Sequence, residues 1–248
     1  MQAMIFAAGL GTRLRPLTDN MPKALVPLAG KPMLERVIDH FYSEGARRIV
    51  VNIHHFGQQI IDFLEENKHR WTESDIEVSD ERGLLLDTGG GLLNALHYFD
   101  EHEPIVVGNA DVLCNAPLQK LLKYHIENGN DATLLIRRRE TNRQLLFERQ
   151  THLLRGWVNL KTSETKGGVD VVDLPDYDQK AFCGIHVVNP SLVKEMGDKG
   201  DIFGVTDAYL RICRTHRIQS VDLETGYMWY DIGTIEKLHC CEKEIMNK

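Results

Sequence analysis

Several things are scarce or missing in this 248-residue chain. Its five cysteines, Cys114, Cys183, Cys213, Cys240 and Cys241, are odd in number and never stand at CxxC spacing. The pattern argues against a disulfide framework or a zinc ribbon and points to a reducing, cytoplasmic setting. His239 beside Cys240 and Cys241 reads as part of a partly buried C-terminal helix rather than a metal cluster. No apolar run approaches the ~20 residues of a membrane span. The opening Met1 to Ala8 is too short for a signal peptide, and its basic residues follow rather than precede it. Positive charge is in deficit, with a net charge of −7, which argues against a general nucleic-acid-binding surface. The local run Arg137-Arg138-Arg139 reads as a solvated strand end. There is no internal repeat, low-complexity tract or Gly/Ser linker, and no convincing Ser–His–Asp set.

What remains, 42% hydrophobic and 26% charged residues, describes a globular domain able to bury most of its apolar surface. Strand-like and helix-like segments alternate through the first half. Met4–Ala8, Ile49–Ile53, Ile76–Val78 and Ile105–Val107 read as strands, and Met33–Glu44, Gln58–Glu66, Gly91–Tyr98 and Leu118–Ile126 as helices. The repetition predicts an α/β fold, a Rossmann-like, mostly parallel mixed sheet with helices on both faces. After Asp131 short strands dominate: Ala132–Ile136, Gln144–Glu148, Leu153–Val158, Val169–Val172 and Ala181–Val188. Val205–Thr215 then reads as a helix, Ile218–Leu223 as a strand and Ile235–Met246 as a closing helix. The expectation is one domain over 1–248, with 131–248 a strand-rich elaboration of the half formed by 1–130.

The first strand opens into Ala7-Ala8-Gly9-Leu10-Gly11-Thr12-Arg13. Gly9 and Gly11 are free to take positive φ, and successive N–H groups in such a turn form an anion nest. Arg13 and Arg15 would add charge and bidentate hydrogen bonds to phosphate. A tight strand-to-helix turn with exposed arginines explains the same residues. No Gly-Lys-Ser/Thr follows, so this is no Walker loop. Leu14 stands where a dinucleotide fingerprint needs its third glycine.

Ligands of open α/β sheets bind beyond the carboxyl ends of the strands. Ile105-Val106-Val107 ends in Gly108-Asn109-Ala110-Asp111, which puts a carboxylate at that edge, and Asp231 follows Trp229-Tyr230 late in the chain. Each aspartate alone could be a helix cap or a helix-entry turn. Together they could hold one Mg²⁺ against a triphosphate. Leu86-Asp87-Thr88-Gly89-Gly90-Gly91 brings almost bare backbone to a helix start, at a cost in stability that a ligand-binding role would explain.

Read in order, Ala7 to Thr18, Pro22-Lys23-Ala24-Leu25-Val26-Pro27, Gly30-Lys31-Pro32-Met33, Thr88-Gly89-Gly90, Asn109-Ala110-Asp111, Cys183-Gly184-Ile185-His186 and Trp229 to Thr234 resemble the signature of sugar-1-phosphate nucleotidyltransferases. The resemblance implies an NTP and a sugar 1-phosphate as partners, Mg²⁺ as cofactor, a role in nucleotide-sugar and cell-wall or surface-polysaccharide synthesis, and no nucleic acid or membrane. Self-association is left open. Ala7, Ala8, Gly9, Leu10, Gly11 and Thr12 would wrap the nucleotide, with Arg13 and Lys23 on its phosphates. Thr88, Gly89 and Gly90 would lie by the base and sugar, and Asp111 and Asp231 would hold the metal. Asn109, Gly184 and Ile185 would line the sugar pocket. The family's Glu-Lys pair before the sugar-binding strand is not recognisable, and Lys161 and Glu164 are the candidates to replace it. Ala110 stands where the family has glycine.

The reaction so implied is attack by a sugar-1-phosphate oxygen on the α-phosphorus of the NTP, catalysed by Arg13, Lys23 and the metal at Asp111. Among subfamilies, Leu86–Leu93 and the short length resemble N-acetylmuramate-1-phosphate uridylyltransferases. Guanylyltransferases acting on mannose- or heptose-1-phosphate, and choline-phosphate cytidylyltransferases, carry similar segments. A non-catalytic nucleotide-binding regulatory subunit is the alternative class.

Overall fold

The computed structural model describes residues 1–223 and 226–246. The strands are β1 (Gln2–Phe6), β2 (Pro27–Leu28), β3 (Lys31–Pro32), β4 (Arg48–Ile53), β5 (Asp75–Asp80), β6 (Ile105–Asn109), β7 (Val112–Cys114), β8 (Ala132–Arg137), β9 (Arg143–Glu148), β10 (Leu154–Asn159), β11 (Glu164–Lys166), β12 (Tyr177–Val188), β13 (Ile218–Val221) and β14 (Trp229–Asp231). The helices are α1 (Met33–Ser43), α2 (Gly57–Asn67), α3 (Asp87–Ala95), α4 (Leu118–Glu127), α5 (Pro190–Lys194), α6 (Val205–Ile212) and α7 (Ile235–Met246).

The fold is α/β, with a mixed central sheet between two helical layers. Its spine runs β11-β10-β9-β12-β6-β1-β4-β5, with β8 on the other flank of β12 and β13 beyond β8. β6, β1, β4 and β5 pair in parallel, so their carboxyl ends share one edge. Alternation along each strand divides the core in two. Ala3 and Ile5 of β1, Ile49 and Val51 of β4 and Val106 of β6 face α1, α2 and α4, where they meet Leu34, Ile38, Phe41, Ile60 and Leu121. Met4, Val50, Ile105 and Val107 face the other way, onto Leu92, Ala95, Leu192, Ala208 and Tyr209 of α3, α5 and α6.

The second half pairs antiparallel around the 12-residue β12, except where β13 runs parallel to β8. The expected strand at Val169–Val172 is not formed. Gly167 and Gly168 both take positive φ there, and the chain continues as a 3-10 turn over Val171–Asp176, which contains Pro175. The edge position is taken by β11 instead. β7 and β14, three residues each, form a separate antiparallel ribbon that local sequence did not suggest. No described helix is long and apolar enough to cross a membrane.

Candidate active site

The first strand delivers the loop to the parallel edge, where two buried side chains set its course. Ala7 N–H donates to Asn52 Oδ1 at 2.8 Å, Asn52 Nδ2 donates to Glu81 Oε1 at 2.8 Å, and Leu86 N–H donates to Glu81 Oε2 at 3.3 Å. The chain of bonds links the glycine loop, the ends of β4 and β5 and the entry to α3. Burial raises the Glu81 carboxyl pKa, and its bond from Asn52 partly offsets the rise. Neither residue was singled out from sequence. Asn52 sits inside the apolar run Ile49–Ile53, where only a polar interruption of a buried strand could have flagged it.

Gly11, at φ 68°, is the residue that closes the loop. A Cβ there would stand 2.9 Å from Lys23 Cβ and 3.0 Å from Thr18 Cγ2, so only glycine lets the Lys23 segment pack beneath it. Thr18 Oγ1 donates to Gly11 O at 2.8 Å and fixes the return. Gly9, by contrast, takes no positive φ and has open space around it. Among the described residues nothing accepts from the N–H groups of Ala8, Gly9, Leu10 and Gly11. Four neighbouring donors are thus free at the sheet edge, as an anion nest requires.

Asp111 follows β6, and Ala110 N–H, bonded to Phe6 O at 3.0 Å, ties it to the end of β1. Asp231 ends β14 opposite Val112 of β7, and Ile232 N–H donates to Asp111 O at 2.9 Å. The small ribbon therefore brings two aspartates, 120 positions apart in sequence, onto one wall. Each has a lysine counter-ion. Lys23 Nζ pairs with Asp111 Oδ2, and Lys237 Nζ from α7 lies 2.6 Å from Asp231 Oδ2. Arg13 lies alongside: the Cβ position of Gly233 is 3.4 Å from both terminal guanidinium nitrogens and 3.2 Å from Asp231 Oδ1. Arg13, Thr88, Asn109, Asp111, Gly184 and Asp231 line one cavity of about 310 Å³. A smaller space of about 190 Å³ beside it is walled by Ala7, Gly9, Lys23 and Ala110.

The glycine turn at 88–91 is placed differently from expectation. α3 begins at Asp87, so Gly89, Gly90 and Gly91 lie within its first turns. A Cβ on Gly89 would meet the Phe203 ring at 2.3 Å, one on Gly90 the Asp201 carbonyl at 2.3 Å, and one on Gly91 Glu81 Oε1 at 2.6 Å. The N–H groups of Gly89 and Gly90 both donate to Phe203 O. Close packing against 201–203 and Glu81 therefore accounts for the bare backbone, and Gly89 and Gly90 present no free face to a base. Thr88 does reach the cavity. Its hydroxyl accepts from Val205 N–H at 3.0 Å, which leaves its proton to donate.

On the opposite wall, β12 carries a bulge between Phe182 and His186. Gly184 takes φ 76° inside it and approaches Asn109 so closely that a Cβ would lie 2.7 Å from Asn109 Nδ2. Ile185 turns inward and is 2% exposed, so its side chain belongs to the core and not to the cavity. A second cavity of about 400 Å³ adjoins the first through Arg139, Phe182 and Thr206. Trp157 opposes Lys166 and Asn159 opposes Glu164 in the β10–β11 register, and all four line this space. Lys161 lies in the turn beyond β10 and does not reach it. Strand alternation thus brings Glu164 to the cavity together with Lys166, two positions on, in place of Lys161. Lys166 Nζ pairs with Asp207 at 2.9 Å and lies 5.3 Å from the Trp157 ring centroid. Of the arginine run at the end of β8, Arg138 is exposed as expected, but Arg137 and Arg139 pack on an aromatic ring. The Arg137 and Arg139 guanidinium carbons lie 5.5 and 5.0 Å from the Trp229 ring centroid.

The mixed α/β sheet thus gathers two carboxylates, an arginine and a lysine around a loop of free amides. The chain belongs to the nucleotidyl transferase family, whose model matches residues 2–147. Over 109 residues it is 41% identical to N-acetylmuramate alpha-1-phosphate uridylyltransferase of Caulobacter vibrioides, a match covering 44% of this chain and 45% of that one. It is 28% identical to mannose-1-phosphate guanyltransferase of Hypocrea jecorina over 94% of this chain and 61% of that protein. The chain thus matches about half the length of these relatives. Among solved structures, a UDP-glucose pyrophosphorylase complexed with UDP-glucose superposes with a TM-score of 0.78 at 16% identity, covering 100% of this chain and 99% of that one. HddC from Yersinia pseudotuberculosis gives 0.74 at 21% identity, covering 98% and 99%. These two likenesses concern the fold alone.

Proposed function

We propose that the protein transfers a nucleotidyl group from an NTP to a sugar 1-phosphate, releasing pyrophosphate. The observation that carries the reading is the convergence of Asp111, Asp231, Arg13 and Lys23 at the edge where the amide loop ends. In chemical terms, an oxygen of the acceptor's phosphate forms a bond to the α-phosphorus, and the bond to the bridging α–β oxygen breaks. Phosphate monoesters have a second pKa of about 6, so the nucleophile is already a dianion near neutral pH and no general base is required. The barrier is the approach of two anions, which positioning and fixed positive charge overcome.

Asp111 and Asp231 fit a divalent cation: both offer hard carboxylate oxygens, Asp231 ends β14 while Asp111 directly precedes its partner strand β7, and both already draw cationic partners. When bound there, a cation such as Mg²⁺ would neutralise charge on the α-phosphate. Lys23 would then leave Asp111 for the phosphates, Arg13 would hold the triphosphate from the Asp231 side, and the N–H groups of Ala8 to Gly11 would bind its oxygens. Thr88 would donate to the nucleotide through its free proton. The bulge at Gly184 and the side chain of Asn109 would meet the acceptor, with Glu164 and Lys166 beyond them.

For the particular substrates we favour UTP and an N-acetylmuramate-type sugar 1-phosphate, supported by the 41% identity over the matched 109 residues. GTP with a mannose-type acceptor is the second reading, favoured by the longer match at 28% identity. The test is pyrophosphate release across the four NTPs against a panel of sugar 1-phosphates and phosphocholine, with and without Mg²⁺. Turnover of UTP with the N-acetylmuramate acceptor alone supports the first reading, and turnover of GTP with mannose 1-phosphate the second. Pyrophosphate from no pair would contradict the transferase reading itself.

A further inference from the structure

We infer that the acceptor carries a second acidic group besides the phosphate that reacts, and that Arg139 recognises it. The inference rests on the transferase reading above, because it takes the cavity at Asp111 and Asp231 as the place of the reacting phosphates. The rest of the acceptor then extends into the adjoining cavity of about 400 Å³. Two aromatic rings, Trp157 and Phe182, line that cavity and offer apolar area to a sugar ring.

Its charges are unevenly matched, with Arg139, Arg143 and Lys166 set against Glu164 and Asp207. Lys166 is neutralised by Asp207 at 2.9 Å. Arg139 and Arg143, by contrast, have no carboxylate within ion-pair distance among the described residues. Arg139 is also held in place. Its guanidinium carbon lies 5.0 Å from the Trp229 centroid, and Trp229 is itself anchored by Nε1 donating to Cys183 O at 2.8 Å. Its Nε is buried and has no hydrogen-bond partner. A guanidinium packed on an indole is held in one plane, and its two terminal nitrogens then form a rigid fork, the geometry that binds a carboxylate or phosphate through two parallel bonds. Hydroxyl groups alone would leave that charge uncompensated in a partly desolvated wall. The ligand chemistry is therefore a sugar 1-phosphate bearing a carboxylate or a second phosphate.

The experiment compares three acceptors with the preferred NTP. N-acetylmuramate 1-phosphate carries a carboxylate, glucose 1,6-bisphosphate a second phosphate, and N-acetylglucosamine 1-phosphate neither. We expect kcat/KM for one of the two acidic acceptors to exceed that of the neutral one by about tenfold or more, the scale of a charge-assisted hydrogen bond. Which acidic acceptor is preferred identifies the group. In Arg139→Met the preference collapses through a rise in KM for the acidic acceptor rather than a fall in kcat. Arg139→Lys, which keeps the charge, retains part of it. Equal losses for acidic and neutral acceptors in both variants, or a wild-type preference for the neutral acceptor, would overturn the inference and leave the transferase reading intact. Absence of turnover with every acceptor would overturn both.

Discussion

The two walls of the cavity are built on different terms. On the wall we assign to the nucleotide, buried polar groups are joined to one another, from Ala7 N–H through Asn52 and Glu81 to Leu86 N–H. On the wall we assign to the acceptor, Arg139 Nε and both ring nitrogens of His186 are buried without a hydrogen-bond partner. The first wall is preorganised, and its free amides are aimed before any ligand arrives, which is where electrostatic catalysis gains most. The second is less completely paired, and a ligand that satisfies the polar groups it meets there is discriminated better than by pocket size alone.

The contrast can be broken first at Gly90. Its Cβ position lies 2.3 Å from the Asp201 carbonyl, so Gly90→Val has to displace backbone. We expect it to lose about 3 kcal/mol of stability in urea unfolding, the upper range of overpacking. Lost NTP binding with unchanged stability would instead return this turn to the base pocket. Asn52→Leu should come next, at about 2 kcal/mol, because it strands a buried N–H and a buried carboxylate at once. Its KM for the NTP should rise as the loop loosens, and a KM equal to wild type would show that Asn52 does not set the loop.

The smallest effect is expected at His186, and it has the opposite sign. Burial pushes the imidazole pKa down from 6.5 to about 3. Below pH 6.5 the unfolded chain takes up a proton that the folded one refuses, so wild-type stability falls as pH drops from 6.5 towards 3. His186→Phe removes that loss along with two unmet nitrogens. Stability should be equal or up to about 1 kcal/mol higher at pH 7, with a flatter decline towards acid. An acid limb as steep as wild type's, by denaturation at several pH values, would show that His186 is not buried neutral.

How much of this the sequence revealed depended on where each partner lay. The positions of β1, its loop and Asp111 were legible because the glycines directly follow β1, the carboxylate closely follows β6, and each obeys local rules. The packing of Gly89 and Gly90 was not legible because their partners, Asp201 and Phe203, lie more than 110 positions away. Arg139 looked solvated for the same reason, since the Trp229 that covers it comes from a ribbon of two three-residue strands with no local signature. Asn52 and Glu81 gave no signal because a buried polar pair is recognisable only when both members are seen together. Lys166 took the place expected of Lys161 through a short edge strand, β11, hidden in a polar stretch.

The most direct test of the account is pyrophosphate release by Asp111→Asn and Asp231→Asn, each measured beside wild type over a range of Mg²⁺ concentrations. Both replacements keep the shape of the ribbon while removing a charge that Lys23 or Lys237 now neutralises. The account predicts that each variant stays folded, loses turnover by about a hundredfold or more, as when charge stabilisation in a transition state is removed, and responds weakly to added Mg²⁺. Near-wild-type kcat at limiting Mg²⁺ in either variant would contradict it.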